Sequence, residues 1–279
     1  MQSWLELARK RFHAACLSGP ISVTNAVPSI ADVANVHSRA ISIALIDRIG
    51  TSNTHANKPP GQSAGAMFEA VCREFIHDSL TQLNHMRPGH FQVERGKTIS
   101  LYDQYAHLDE LRVLAAQNRE LKTLLGTDYL IKPDIVVSRN AEPDEMINQN
   151  NFVVSENVAK FSALRSANGS KKTLHASVSC KLTIRSDRVQ NTRSEALNLI
   201  RNRKGRLPHI VAVTAEPMPT RIAAIALGTG DIDCVYHFAL PELVEVLSDQ
   251  KRESLDLIET MIEGRRLRDI ADLPLDLVI

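Results

Sequence analysis

With 279 residues, 43% of them hydrophobic, the chain can bury most of its apolar surface around one core, and its net charge of +1 argues neither for nor against a nucleic-acid partner. No apolar run approaches the roughly 18 to 20 residues that a membrane span requires, and Met1 to Lys10 mixes charges into its apolar positions, so a membrane anchor and a signal peptide are both excluded and a cytoplasmic protein is expected. Cys16, Cys72, Cys180 and Cys234 lie far apart and form no Cys-x-x-Cys pair, which points away from structural zinc and from a disulfide framework and towards buried, reduced thiols.

The pattern predicts a helix over residues 3 to 17. Gly19-Pro20 and Pro28 mark residues 20 to 38 as an irregular arm, and a second irregular stretch, Asn53 to Gly61, ends in Pro59-Pro60-Gly61. Ser63 then caps a helix running to about His85, with Phe68, Cys72, Phe75, Ile76, Leu80 and Leu83 on one face and Met67 and Val71 widening it. Glu69 falls at the edge of that stripe. Its ordinary reading is an i,i+4 pair with Arg73; its functional reading is a carboxylate aimed into a site from a rigid helix.

Three strand-like runs follow. Asp134 to Val137 is short and β-branched, Leu174 to Lys181 alternates, and Ile210 to Thr214 is nearly continuous apolar, as a strand buried on both faces would be. A helix is expected from Asn191 to Arg203, further strands at Ile222 to Leu227 and Cys234 to Phe238, and an amphipathic helix from Pro241 through Val244, Leu247, Leu255, Ile258 and Ile262. Alternating strands and helices predict an α/β fold with a mixed central sheet flanked by helices.

Residues two apart on a strand share a face, so His175, Ser177, Ser179 and Lys181 form a polar row opening on one side of the sheet. If the strand beginning at Asp134 is a neighbour, Asp134 and Lys181 converge. A carboxylate there could hold Mg²⁺, and the ammonium could orient an attacking water, which is the combination phosphodiester hydrolysis needs. Glu195 offers a second carboxylate and Glu69 a third. A second Pro-Asp pair, Pro143-Asp144, has no apolar strand after it and reads as loop.

Charge is unevenly spread. Lys181 to Arg206 holds eight basic residues against two acids, a local field suited to a polyanion or, equally, a solvated helix face; from Pro241 onwards ten acids face five basic residues. Inside the basic stretch, Arg185-Ser186-Asp187-Arg188 has the composition of a base reader. Arg pairs with O6 and N7 of guanine and Asp accepts from N4 of cytosine.

The segments Lys-Pro-Asp-Ile-Val-Val (132 to 137), His-Ala-Ser-Val-Ser-Cys-Lys (175 to 181), Thr-Ile-Arg-Ser-Asp-Arg (183 to 188) and Arg-Ser-Glu-Ala-Leu-Asn-Leu (193 to 199) carry a family resemblance. The chain resembles the type II restriction endonucleases of the CCGG-reading group, within the PD-(D/E)xK superfamily, and among them those that read GCCGGC. Segments 60 to 65, 103 to 108, 201 to 211, 226 to 238 and 272 to 277 extend the resemblance over nearly the whole chain.

The resemblance implies a restriction-endonuclease-like core at about 60–240 in one domain spanning 1–279, with an arm at 20–60 for DNA contacts and a C-terminal helical segment at 241–279. It implies Asp134 as a metal ligand and Lys181 as the catalytic lysine, with Cys180 lending its backbone carbonyl to Mg²⁺. Ser179 stands where many relatives carry an acid, Glu195 supplies that carboxylate from a helix, and Glu69 is a further acid. Arg185, Asp187 and Arg188 would read CCGG from the major groove, Gln62 would approach the minor groove, and Asp32 and Arg221 would read the outer pair. The implied product has four-base 5′ overhangs. The implied partner is double-stranded DNA, bound by a homo-oligomer, a dimer of dimers, for which the C-terminal helix and Tyr102 to Leu125 could provide surfaces. A different outer pair, a nuclease of the same chemistry with a structural target, and a non-catalytic DNA-binding protein are the alternatives.

Overall fold

The computed structural model describes residues 2–50, 59–125, 130–228, 230–251 and 253–279, with the backbone alone at Lys122, Leu124, Leu125, Ser186, Asp187 and Arg188. Ser3 and Glu6 close a reciprocal capping box that starts α1 (Trp4–Ser18), whose Ala8, Phe12, Cys16 and Leu17 are buried. The arm after it is less irregular than its prolines suggest. It forms a small antiparallel hairpin, β1 (Val23–Thr24) and β2 (Val27–Pro28), turned by Asn25 and Ala26 at positive φ, and α2 (Val36–Ile49) begins inside the expected arm, capped by Asn35. Most of the stretch expected to be irregular at 53 to 61 falls outside the described residues.

Helix α3 (Gly61–Gln82) starts two residues before Ser63, directly after Pro60, and has no side-chain cap. Pro60 is extended and its carbonyl accepts from Ala64, so the proline pair sets the entry. Phe68, Cys72, Phe75, Ile76 and Leu80 are buried as the stripe predicts, whereas Met67 is exposed. Strand β3 (Phe91–Arg95), two 3₁₀ turns, α4 (His107–Gln117) and α5 (Arg119–Leu125) follow, then β4 (Ile135–Arg139). The discarded Pro143-Asp144 pair is not plain loop. It opens the one-turn α6 (Asp144–Ile147), and Asp144 accepts two hydrogen bonds of 2.6 Å from the buried Arg165 guanidinium.

The chain continues through β5 (Thr173–Lys181), α7 (Ser186–Asn202), β6 (His209–Thr214), α8 (Pro219–Ala226), β7 (Cys234–His237), α9 (Leu240–Asp249), α10 (Leu255–Glu263), β8 (Leu267–Asp269) and α11 (Leu273–Leu277). Strands β3 to β8 make one six-stranded sheet in chain order, antiparallel over β3-β4-β5 and parallel from β5 to β8. The sheet is therefore mixed and helix-flanked, as expected.

Three elements differ from expectation. Residues 222 to 226 belong to helix α8, which Leu227 caps, because Pro219 is preorganised for a first helical position and Ile222, Ile225 and Ala226 then recur at helical spacing. Helix α7 starts at Ser186 and not Asn191, so the base-reader segment enters its first turn. The helix from Pro241 is broken between α9 and α10, where Lys251 takes positive φ, and the chain returns to add β8 to the sheet.

The polar row of β5 is also closed over and does not open on one face: His175, Ser177 and Ser179 are buried, and Lys181 alone is partly exposed at the strand end. All four cysteines are buried. No described helix is long and apolar enough to cross a membrane.

The chain ends are tied by one guanidinium. Arg9 of α1 donates to both oxygens of Glu242 at 2.6 Å and both oxygens of Asp269 at 2.8 Å, and Asp269 also accepts from the Leu240 N–H. These side chains are only 11% to 20% exposed, so removing the cation leaves two poorly solvated carboxylates. Arg9→Ala is expected to cost on the order of 3 kcal/mol. Chemical denaturation followed by circular dichroism checks this, and an unchanged midpoint would show the network to be dispensable.

Candidate active site

Antiparallel pairing of β4 with β5 places Ile135 opposite Val178, so the residue before β4, Asp134, reaches the end of β5. Its Oδ2 accepts from the Cys180 N–H at 2.7 Å and from the Lys181 ammonium at 2.8 Å, with the Ser179 hydroxyl at 3.5 Å. Asp134 and Lys181 remain 23% and 17% exposed, enough to meet a substrate. On the other side of Ser179, the Thr192 hydroxyl of α7 lies 3.5 Å away.

Two helices bring further carboxylates. Glu195 of α7 lies close enough to sense both charges: burial pushes its carboxyl above the usual range, the Lys181 ammonium opposes this and the Asp134 carboxylate reinforces it. Glu69 comes from α3. It does not pair with Arg73, whose Nε donates to the Val93 carbonyl; it accepts instead from Arg95 Nη2 at 2.8 Å, at the end of β3. Glu69, Asp134, Lys181, Glu195, Gln62 and Arg185 line one cavity of about 540 Å³. Gln62 is exposed and sits in the first turn of α3, not on the loop before it.

Among the described residues no three His, Cys, Asp or Glu side chains cluster closely enough to hold a metal by themselves. The oxygen donors available for a hard cation are the carboxylates of Asp134 and Glu195 and the main-chain carbonyl of Cys180, which lines the same cavity. Ser179 carries no charge, and the carboxylate nearest the Asp134–Lys181 pair that α7 brings to this cavity is Glu195.

A second concavity, about 900 Å³, adjoins the first, with Ser29, Thr183 and Arg185 lining both. Asp32 and Arg221 meet in it through an ion pair of 2.5 Å. The Arg221 hydrogen bond holds the Asp32 carboxyl below the usual range, with the Ala34 N–H and the nearby Arg185 acting in the same direction. Arg185, Asp32 and Arg221, distant in sequence, therefore share one surface. The side chains of Asp187 and Arg188 lie outside the described residues; their backbone forms the first turn of α7.

The family model for the NgoMIV restriction enzyme matches residues 12–279. The type II restriction enzyme NgoMIV of Neisseria gonorrhoeae is 52% identical over 279 residues, covering 97% of each chain. The chain belongs to the NgoMIV restriction enzyme family.

As a member of that family it is a type II restriction endonuclease, a site-specific deoxyribonuclease. Three residues that contact these side chains were not singled out in the sequence. Arg95 stands 26 residues from Glu69 in the chain, and Thr192 looks like an ordinary helix surface position. Glu216 has a better signal, an acid directly after a continuous apolar strand and before Pro217-Met218-Pro219.

Because burial raises the Glu195 value on folding, its protonated form adds stability below the unfolded value and that contribution is lost as pH rises through the folded value. Glu195→Gln mimics the protonated state. Its thermal midpoint is therefore expected to gain on that of the unsubstituted protein as pH rises from about 4 to about 8. Midpoints that run parallel across this range would show that Glu195 is not destabilised by burial.

Proposed function

We propose that the enzyme is a Mg²⁺-dependent endonuclease that recognises GCCGGC in double-stranded DNA and cuts after the first G of each strand, leaving four-base 5′ overhangs. The observation that carries this reading is the single cavity in which the Asp134–Lys181 pair, Glu195 and Arg185 meet. Catalytic and base-reading groups lie a few residues apart on one strand end, which couples recognition to cleavage over a short distance.

Asp134 and the Cys180 carbonyl would hold the Mg²⁺, with Glu195 contributing directly or through water. When bound, the cation supplies Lewis-acid polarisation of the scissile phosphate and positive charge opposite the developing negative charge. Lys181 donates hydrogen bonds to the attacking water or to a phosphate oxygen, and Asp134 fixes the ammonium at that position. The Ser179 hydroxyl lies beside Asp134, and Thr192 lies beside Ser179. Glu69, held by Arg95, adds a carboxylate on the opposite wall.

Arg185 reads guanine in the core, together with Asp187 and Arg188. Asp32 and Arg221 read the outer G·C pair, since an acid accepts from cytosine N4 and an arginine donates to guanine O6 and N7. Gln62 approaches from the minor groove. A palindrome is read by a two-fold dimer, each active site serving one strand. Assembly into a dimer of dimers is supported by exposed apolar side chains between β4 and β5, above all Phe152 at 83% and Phe161 at 99% exposure. The stripes of α9 and α10 face the core, with Leu243, Leu247, Ile258 and Met261 buried, which leaves them a small role in assembly.

Purified protein with Mg²⁺ should linearise a plasmid carrying one GCCGGC and leave a plasmid without it intact, and end sequencing should read the overhang. Lys181→Ala is expected to slow cleavage by about 10²- to 10³-fold, and Arg185→Ala to cost about 1 to 3 kcal/mol in discrimination for its guanine. Cutting at sites without CCGG, or undiminished cutting by Lys181→Ala, would refute the reading. Sedimentation should give a species well above the 30.9 kDa of one chain.

A further inference from the structure

Glu216 lies just beyond β6, in neither cavity wall, and is completely buried. Both its carboxylate oxygens are engaged. Oε2 accepts from the Ile184 N–H at 2.8 Å; Oε1 accepts from the Met218 N–H at 3.1 Å and lies 3.9 Å from Arg221 Nη1. Its main chain is held as firmly. The Glu216 N–H donates to Thr214 Oγ1, which donates to the Lys181 carbonyl at 2.7 Å. The Glu216 carbonyl accepts from Nε2 of buried His237, whose Nδ1 accepts from the Ala239 N–H, a pairing that fixes the neutral tautomer.

The four-residue segment from Lys181 to Ile184 is thus clamped at both ends by the segment Thr214 to Glu216: at Lys181 through the threonine hydroxyl and at Ile184 through the carboxylate. Arg185 follows immediately. The same carboxylate faces Arg221, which is also paired with Asp32. Pro217 and Pro219 restrict the backbone on either side of Met218, so a displacement at the start of α8 is passed to Glu216 and not absorbed locally.

We propose that Glu216 is a positioning residue that couples the reading of the outer base pair by Arg221 and Asp32 to the placement of Lys181 and Arg185. The inference rests on the assignment of Arg221 and Asp32 to the outer pair. When Arg221 turns from Asp32 to a base, its charge beside Glu216 changes, and the carboxylate carries that change to the strand end. A wrong outer pair would leave Arg221 on Asp32 and lower the rate of the chemical step more than binding.

The test compares the wild-type enzyme, Glu216→Gln, Arg221→Ala and the double variant on two oligonucleotide duplexes, the preferred site and the same site with its outer pair inverted. The preferred site is fixed first by digesting DNA of known sequence with the wild-type enzyme, so a flank other than G·C would correct the proposed target without affecting the comparison. Glu216→Gln is nearly isosteric, and its folding is checked by thermal melting. Expected is a fall in kcat on the preferred site of about 5- to 150-fold with little change in KM. Expected also is little change on the inverted site, so that discrimination collapses, together with a double variant no worse than Arg221→Ala alone. Equal losses on both sites, or additive effects of the two substitutions, would overturn the coupling and leave Glu216 a structural residue.

Discussion

The Oδ2 atom of Asp134 accepts from the Cys180 N–H and the Lys181 ammonium together, and the position of that atom is a consequence of sheet pairing. An antiparallel neighbour begins where β5 ends, so the residue before β4 arrives beside the last residues of β5. A parallel neighbour would put the opposite end of the strand there. On the far side β6 is parallel, and it brings Thr214 alongside Lys181. The change from antiparallel to parallel pairing at β5 therefore makes one strand end a meeting point for a carboxylate from one neighbour and the Thr214 hydroxyl from the other.

Helices complete the site because a strand end has room for few side chains. β5 offers Ser179 where a carboxylate would otherwise stand, and α7 and α3 deliver Glu195 and Glu69 from outside the sheet. Each acid has a counter-charge or shows the effect of burial: Glu69 has Arg95, Asp134 has Lys181, and Glu195 lies above its usual range.

The uneven charge of the chain resolves into two different physical uses. The acidic C-terminal segment pairs with the N-terminal helices, Glu242 and Asp269 with Arg9, and Glu245 and Asp249 with Arg48. The basic stretch divides: Lys181 serves the site, Arg193 bonds the Ala224 and Leu227 carbonyls of α8 and its end, and Arg201, Lys204 and Arg206 are exposed. Neither the polyanion reading nor the solvated-face reading describes the whole run, because neighbouring residues on a helix point in different directions.

The sequence by itself determined most of the elements and, through its family resemblance, the class of enzyme. Strands at 134 to 137, 174 to 181 and 210 to 214 were legible from β-branched and apolar runs, because those signals are local; Asp134, Lys181, Glu195 and Arg185 were singled out by residue type, spacing and family resemblance, and the fold brings them to one cavity. Residues 222 to 227 were not legible, since a short apolar run fits a buried strand or a helix and the preceding proline had to break the tie. The partner of Glu69 was misread for a related reason: i,i+4 spacing makes Arg73 available, but Arg95 stands opposite only once β3 is paired with β4. Tertiary structure alone decided that Asp32, Arg221 and Arg185 share a surface, and that buried Glu216 connects it to Lys181, because contacts across 189 and 32 residues arise from sheet order and helix docking and leave no periodicity in the chain.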